Sequence, residues 1–239
     1  MIESIAQTGQ TMKRLALSLL AVLVAASLGR ADSYIVAFHS FEREGKDKEA
    51  KDALWALAFR LPNPLCLRYI PYKKATHDEF FRKLREVKKK ATKDDVVVVY
   101  LGAHGGDAGD AGLEVCSRRR AILSREFFPI LESLPCPTLL LIDTCHAGAA
   151  LQHKWEKTTV VCACRHDETA WTGGMFPALL EALRQHRNWT SGQLAWYIVA
   201  RTTAFSKDQH PIAFCGSTSN VRITDPAKIG RDIPVPDRR

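Results

Sequence analysis

Two long apolar runs in this sequence each end in a turn of small residues that carries a reactive side chain. The first, DDVVVVYLGAHGG, begins at Asp94 and presents His104, and the second, TLLLIDTCHAG, begins at Thr138 and presents Cys145. A continuous run of Val, Leu and Ile bounded by turn residues is typical of a strand buried on both faces of a parallel sheet. Because ligands bind at the carboxyl ends of such strands, His104 and Cys145 are candidate site residues.

The rest of the sequence alternates strand patterns with amphipathic helices, which predicts an α/β fold. We expect a mostly parallel central sheet of about six strands, flanked by helices on both faces. Besides the two runs, strands are predicted at Ser33–Phe38, Cys66–Ile70, Thr158–Ala163 and Ile212–Cys215. Helices are predicted at Asp47–Leu61, His77–Lys90, Ser124–Leu134, Met175–Gln185 and Gly192–Thr203. Ser124 and Ser191 are the predicted N-caps of two of them. The segment GGDAGDAG after His104 is predicted to be a loop.

The N-terminus has the pattern of an export signal. Lys13 and Arg14 precede an apolar stretch, Leu15–Leu28, and small residues near Ala31 are suited to cleavage. The stretch is shorter than the ~20 residues of a membrane-spanning helix. We therefore expect a signal in residues 1–31 (with Met12 as an alternative start), a domain over 32–217 and a tail over 218–239. The expected location is periplasmic or extracellular, without stable membrane insertion after signal removal; an uncleaved anchor or a buried helix is the alternative.

Charge and cysteine content restrict the partners and the cofactors that we expect. The net charge is +8, but the basic clusters Lys88–Lys90 and Arg118–Arg120 lack interleaved aromatic residues, so no nucleic-acid partner is expected. The chain has seven cysteines. If Cys145 is a free thiol, the other six can form up to three disulfides or remain reduced, and the sequence leaves both open. Cys162 and Cys164 have no matching Cys/His pair at zinc-ligand spacing, so no metal site is expected.

The segments Tyr100–Gly106 and Leu141–Gly148 resemble the two catalytic motifs of caspase-like cysteine peptidases (peptidase family C14). His104 precedes Cys145 by about 40 residues, and caspases place theirs about 50 residues apart. The Asp-Thr-Cys-His-Ala-Gly string resembles the Asp-x-Cys-His-x-Gly pattern of the bacterial metacaspase-like branch. Weaker similarities to the family occur at residues 51–53, 167–176 and 209–211.

This resemblance implies a cysteine endopeptidase that acts on peptides or proteins. Cys145 would attack the peptide carbonyl, and His104 would favour the thiolate or protonate the leaving amine. The backbone N–H groups of Gly105 and Cys145 would form the oxyanion hole. Taken singly, a buried structural thiol and a turn histidine explain the two residues as well. The alternative for the whole chain is a non-catalytic caspase-like module that binds peptide or protein partners.

Two carboxylates are candidate substrate-binding groups. Asp143 lies two residues before Cys145, so on a strand it points to the same side. By resemblance to metacaspases, Asp52 would add a second carboxylate, and together they favour cleavage after Arg or Lys. The simpler interpretation is that Asp143 caps a turn and Asp52 is solvated. Residues 146–155, where calcium-activated metacaspases carry a carboxylate, contain no Asp or Glu, so calcium activation is doubtful and no cofactor is expected.

Overall fold

A computed structural model of the chain describes residues 31–41, 44–171, 174–185, 188–205, 208–220 and 222, without the side chains of 44–47, 65 and 66. The predicted signal, apart from Ala31, and most of the predicted tail lie outside the described residues. The described residues from Asp32 onward form one compact unit. Among the helices described, none has the length and apolar character that a bilayer crossing requires.

The described residues form nine strands and five α-helices. The strands are β1 Ser33–His39, β2 Pro64–Ile70, β3 Val96–Gly102, β4 Gly105–Asp107, β5 Leu113–Val115, β6 Ile122–Leu123, β7 Thr138–Asp143, β8 Thr158–Cys162 and β9 Ile212–Cys215. The helices are α1 Glu44–Arg60, α2 His77–Lys88, α3 Ser124–Glu132, α4 Met175–Arg184 and α5 Ser191–Phe205, and a 3₁₀ helix spans Ala147–Gln152. The predicted boundaries of the main-sheet strands and of the helices agree with these to within about one helical turn.

Six strands form the main sheet in the order β2-β1-β3-β7-β8-β9. All neighbouring pairs are parallel except β8 and β9, which are antiparallel. The predicted fold class is therefore confirmed. In the central pair, Gly102 at the end of β3 stands opposite Asp143 at the end of β7. Because the two strands end at the same level, the turns that follow them lie side by side.

The sheet is covered by helices on both faces, as alternating side chains of β3 show. Val97, Val99 and Leu101 pack in a core with residues of α2 and α3. Val96, Val98 and Tyr100 belong to a second core with residues of α1, α4 and α5. Both sets are buried, which explains why the strand reads as a continuous apolar run rather than an alternating one.

The segment after His104 is not a simple loop, so that prediction was wrong. β4, β5 and β6 form a separate three-stranded antiparallel sheet. β4 has the sequence Gly-Gly-Asp, which has low intrinsic strand propensity and no alternating pattern. The sheet is stabilised instead by tertiary contacts, because Leu113, Val115 and Ile122 are completely buried.

The two predicted serine N-caps were also wrong. Ser124 and Ser191 are the first residues of α3 and α5, and their hydroxyls donate to the carbonyls of Ala111 and Ser219 rather than capping their own helices. The cap of α5 is Thr190: its side chain accepts from the N–H of Gln193, whose own side chain accepts from the N–H of Thr190. Because the hydroxyl of Ser191 has a long-range partner, the adjacent Thr190 caps the helix instead.

The side chains of six of the seven cysteines are described, and all six are free thiols. Cys136, Cys162 and Cys164 are buried. For these residues the reduced alternative is the one that the structure shows.

Candidate active site

The two central strands deliver His104 and Cys145 to the same edge of the sheet. Pairing continues one residue beyond β3, because the N–H of Ala103 donates to the carbonyl of Asp143 at 3.4 Å. His104 is solvent-exposed, and Cys145 is half-buried. The structure thus brings the two sequence-predicted catalytic residues together in adjacent turns.

Gly105 lies directly against the turn that carries Cys145. A Cβ atom at this position would lie 2.6 Å from the carbonyl oxygen of Cys145 and 2.8 Å from the Cβ of Thr144. Such distances are too short for any side chain, so only glycine allows this approach. The next residue, Gly106, has nothing within 4 Å of the same hypothetical atom. The close approach is therefore specific to the residue that follows His104.

Two contacts hold His104 in place. Its ring meets the ring of Phe41 edge-on, with 5.4 Å between the centroids, and Phe41 itself is buried. The carbonyl of His104 accepts a hydrogen bond of 2.8 Å from the N–H of Cys116, just after β5. The imidazole is thus packed on one side while its backbone is fixed to the small sheet. Nothing in the sequence pattern pointed to Phe41 or Cys116.

Cys145 is contacted by a segment that follows β8. The N–H of Ala170 points at Sγ of Cys145 at 3.4 Å. The next N–H, of Trp171, donates to the side chain of the buried Gln209 at 3.1 Å, and this bond anchors the segment. The sequence marks residues 167–170 and 209 only as weak family similarities, because the contact of Ala170 with Cys145 uses a backbone N–H and leaves no pattern in the sequence.

Glu168 anchors the same segment to the loop before β9. Its carboxylate accepts hydrogen bonds from the N–H and the ring Nδ1 of His210, at 3.2 and 2.7 Å, and from the N–H of Arg165. Partial burial acts to raise the pKa of Glu168, but the hydrogen bonds from Arg165 and His210 outweigh it and lower the pKa below its ordinary value. The carbonyl of Glu168 accepts the N–H of His146.

His146, the histidine that directly follows Cys145, has a hydrogen-bond partner of its own. It has a left-handed backbone conformation, with φ of 56°. Its ring Nδ1 lies 2.7 Å from the carbonyl oxygen of His166. This contact occupies Nδ1 of His146 with a partner other than Cys145.

The two predicted substrate-binding carboxylates differ in their surroundings. Asp143 is almost fully buried and accepts a hydrogen bond of 3.4 Å from the hydroxyl of Tyr100. Burial, and then the charge of Asp143, raise the pKa of Tyr100 well above its ordinary value, so Tyr100 remains a donor. Asp52 is half-buried on α1, and among the described residues its carboxylate forms no hydrogen bond or ion pair. No cluster of three or more potential metal ligands occurs in the part of the chain that the structure describes.

Comparisons with known proteins support the fold. No protein-family model matches the sequence, and no curated protein matches it. Among solved structures, that of a Geobacter sulfurreducens protein superposes with a TM-score of 0.60 at 14% identity, covering 82% of this chain and 100% of the other. The Drosophila initiator caspase Dronc superposes with a TM-score of 0.58 at 11% identity, covering 82% and 83%. The chain therefore has a caspase-like fold; at these identities the likeness extends to the fold alone.

Proposed function

We propose that this protein is an exported caspase-like cysteine endopeptidase of the bacterial metacaspase-like branch, with Cys145 and His104 as its catalytic pair. The observation that carries the proposal is the close approach at Gly105, where the chain beside His104 touches the carbonyl of Cys145. A buried structural thiol and an unrelated turn histidine would not require that contact. The Asp-Thr-Cys-His-Ala-Gly string favours the metacaspase-like branch, and the basic and apolar residues before Ala31 favour export.

The proposed reaction uses groups of this chain alone. His104 takes the proton of the Cys145 thiol, and the sulfur attacks the substrate carbonyl to form an acyl-enzyme. The N–H groups of Gly105 and Cys145 stabilise the oxyanion, and His104 returns the proton to the leaving amine. His104 then removes a proton from the water that hydrolyses the thioester. None of these steps uses a metal, so we expect chelators and added calcium to leave the rate unchanged.

We propose Asp143 and Asp52 as the groups that select Arg or Lys before the cleaved bond. Asp143 continues the alternation of Leu139 and Leu141, whose side chains pack in the core that α1 shares. Asp52 lies on α1, so both carboxylates belong to the same side of the sheet. A guanidinium that enters from this side would meet a desolvated carboxylate, with which it pairs bidentately.

Covalent labelling tests the proposal directly. A peptidyl acyloxymethyl ketone with Arg at the position before the warhead should label the mature protein once, at Cys145, and Cys145→Ala should abolish the label. The matched control is Cys215→Ser, which changes another half-buried free thiol outside the proposed site. Absence of labelling in the folded, reduced wild type would support the non-catalytic binding module instead. Export has its own test, because the intact mass of protein from the native host should begin near Asp32.

A further inference from the structure

We propose that Cys116 is a resolving thiol for Cys145, so that a hydroperoxide converts the pair into a reversible intramolecular disulfide. The proposal rests on the proposed function only in taking Cys145 as the reactive thiol of the site. It assigns a role to a cysteine that the peptidase chemistry does not use.

Strand pairing places Cys116 beside the catalytic turn. β4 and β5 are antiparallel with Gly105 opposite Val115, and the N–H of Cys116 continues the ladder by donating to the carbonyl of His104. Cys116 is therefore the cross-strand neighbour of His104. Side chains of directly opposed residues project to the same side of an antiparallel pair, with Cβ atoms ~5 Å apart. The thiol of Cys116 thus projects on the side of the imidazole.

The backbone contact at Gly105 extends this placement to the nucleophile. Gly105 touches the carbonyl of Cys145 and also pairs with Val115, the residue before Cys116. Only β4 therefore lies between the turn that carries Cys145 and β5, the strand that Cys116 directly follows. The two sulfurs are also within electrostatic reach, since the pKa of Cys116 is raised by partial burial, by Glu114 and by the charge of Cys145.

The other described cysteines are less suited to this role. Cys164 is also near Cys145, but it is buried, its sulfur donates to the carbonyls of Thr144 and Glu168, and burial raises its pKa to about 11. Cys162 is completely buried, and burial raises its pKa. Cys116, in contrast, is only partly covered by the protein and reaches solvent. An oxidant and a resolving partner can reach Cys145 from the side of Cys116.

The chemistry balances with a hydroperoxide as the oxidant. The thiolate of Cys145 attacks the terminal peroxide oxygen, the O–O bond breaks, and the sulfur is oxidised to a sulfenic acid as the peroxide is reduced to an alcohol, or to water from hydrogen peroxide. The thiolate of Cys116 then attacks the sulfur of Cys145, the S–O bond breaks, and hydroxide leaves and takes up the proton released by Cys116 to give water. The disulfide blocks the sulfur of Cys145 and protects it from further oxidation. A dithiol reduces the disulfide and restores both thiols.

Peptide mapping tests the disulfide without reference to peptidase activity. Reduced protein is treated with hydrogen peroxide, alkylated and digested with trypsin. The expected result is a mass loss of two hydrogen atoms and a linked pair of peptides 94–118 and 126–154, which dithiothreitol separates. Because peptide 126–154 contains both Cys136 and Cys145, its fragment spectrum must place the link at Cys145.

Variants separate Cys116 from its neighbours. Cys116→Ser should form no disulfide and should gain oxygen atoms at Cys145, with activity that dithiothreitol does not restore. Cys164→Ser, which keeps a hydrogen-bond donor, should behave like the wild type, as should Cys215→Ser. A wild type that gains oxygen at Cys145 without a link, or that links Cys145 to Cys164, overturns the proposal. If the reduced wild type hydrolyses no peptide yet forms the disulfide, then the proposed function fails while this inference stands.

Discussion

Replacement of Gly105 by alanine tests the geometry on which the proposed active site depends. The new methyl group would lie 2.6 Å from the carbonyl oxygen of Cys145, whereas ordinary van der Waals contact begins at 3.4 Å. The neighbouring atoms are the backbone carbonyl oxygen of Cys145 and the Cβ and Oγ1 of Thr144. Rotation of the Thr144 side chain can move Oγ1, but the carbonyl oxygen and the Cβ move only with the backbone. The two turns must therefore separate by about 0.8 Å, the difference between those two distances, which displaces the N–H of residue 105 and the imidazole of His104.

The magnitude follows from how steeply catalysis depends on position. A misplacement of about 1 Å costs ~100-fold in rate, which corresponds to about 2.7 kcal/mol of transition-state stabilisation. We expect kcat/KM on a peptide substrate to fall by that factor in Gly105→Ala. Most of the loss should appear in kcat, because the oxyanion contact strengthens in the transition state. Overpacking at this contact costs about 1–3 kcal/mol of folding stability, so the variant should remain folded.

Gly106→Ala is the matched control, because its methyl group would enter open space. Its kcat/KM should stay near that of the wild type, and the melting temperatures of both variants verify folding. Wild-type kcat/KM in a folded Gly105→Ala variant would refute the argument that His104 and the oxyanion hole depend on this contact. Equal losses in both variants would show that the effect belongs to β4 in general rather than to the close approach.

Four further predictions follow from the same structure. Cys145→Ala and His104→Ala should each abolish peptide hydrolysis. The kcat/KM of the double variant should be no lower than that of either single variant, because paired catalytic groups act as a unit. Additive losses in kcat/KM would contradict this. Asp143→Asn should reduce kcat/KM on Arg substrates by ~100-fold and spare neutral ones, since loss of a buried charge partner costs on the order of 3 kcal/mol; a wild type that prefers Asp would contradict it. Because the pKa of Glu168 is lowered, the contribution of its carboxylate to folding stability is complete at pH values above the ordinary pKa of a carboxyl group and is lost as the pH falls through the lowered pKa. The Tm difference between Glu168→Gln and the wild type should therefore shrink on acidification. A Tm difference that does not change with pH argues against this prediction. Self-cleavage in the connection 149–157 should be minor, because its Trp155 is buried and donates to the carbonyl of Ala150; a stoichiometric pair of fragments on a denaturing gel would oppose this.

The main sheet was predictable because its strands are buried on both faces. Burial on both sides requires continuous apolar runs, and these are visible in the sequence at β3 and β7. The turns after those strands were visible as well, because His104 and Cys145 each follow an apolar run that stops at small residues. Elements whose local sequence is shaped by core burial are those that sequence patterns identify best.

The small sheet and the segment beside the sulfur were not predictable for a related reason. β4 is built of two glycines and an aspartate, and its pairing with β5 depends on the tertiary burial of Leu113 and Val115. The contact of Ala170 with Cys145 uses a backbone N–H, which every residue except proline possesses. Interactions made by the main chain do not select a residue type, so the sequence carries no record of them.

Along β7, successive side chains point to opposite faces of the sheet. This alternation places Asp143, the proposed specificity residue, in different surroundings from Cys145. Ile142 packs in the core of α2 and α3, whereas Leu141 packs in the core of α1, α4 and α5, so Asp143 falls on the side of Leu141. There Asp143 is held by Tyr100, a residue of the core, while Cys145 lies two residues further on in a turn that reaches solvent. A change in core packing around Tyr100 can thus move Asp143, the proposed specificity carboxylate, without moving Cys145. In a fold of this kind, selectivity can evolve through residues that never touch the substrate.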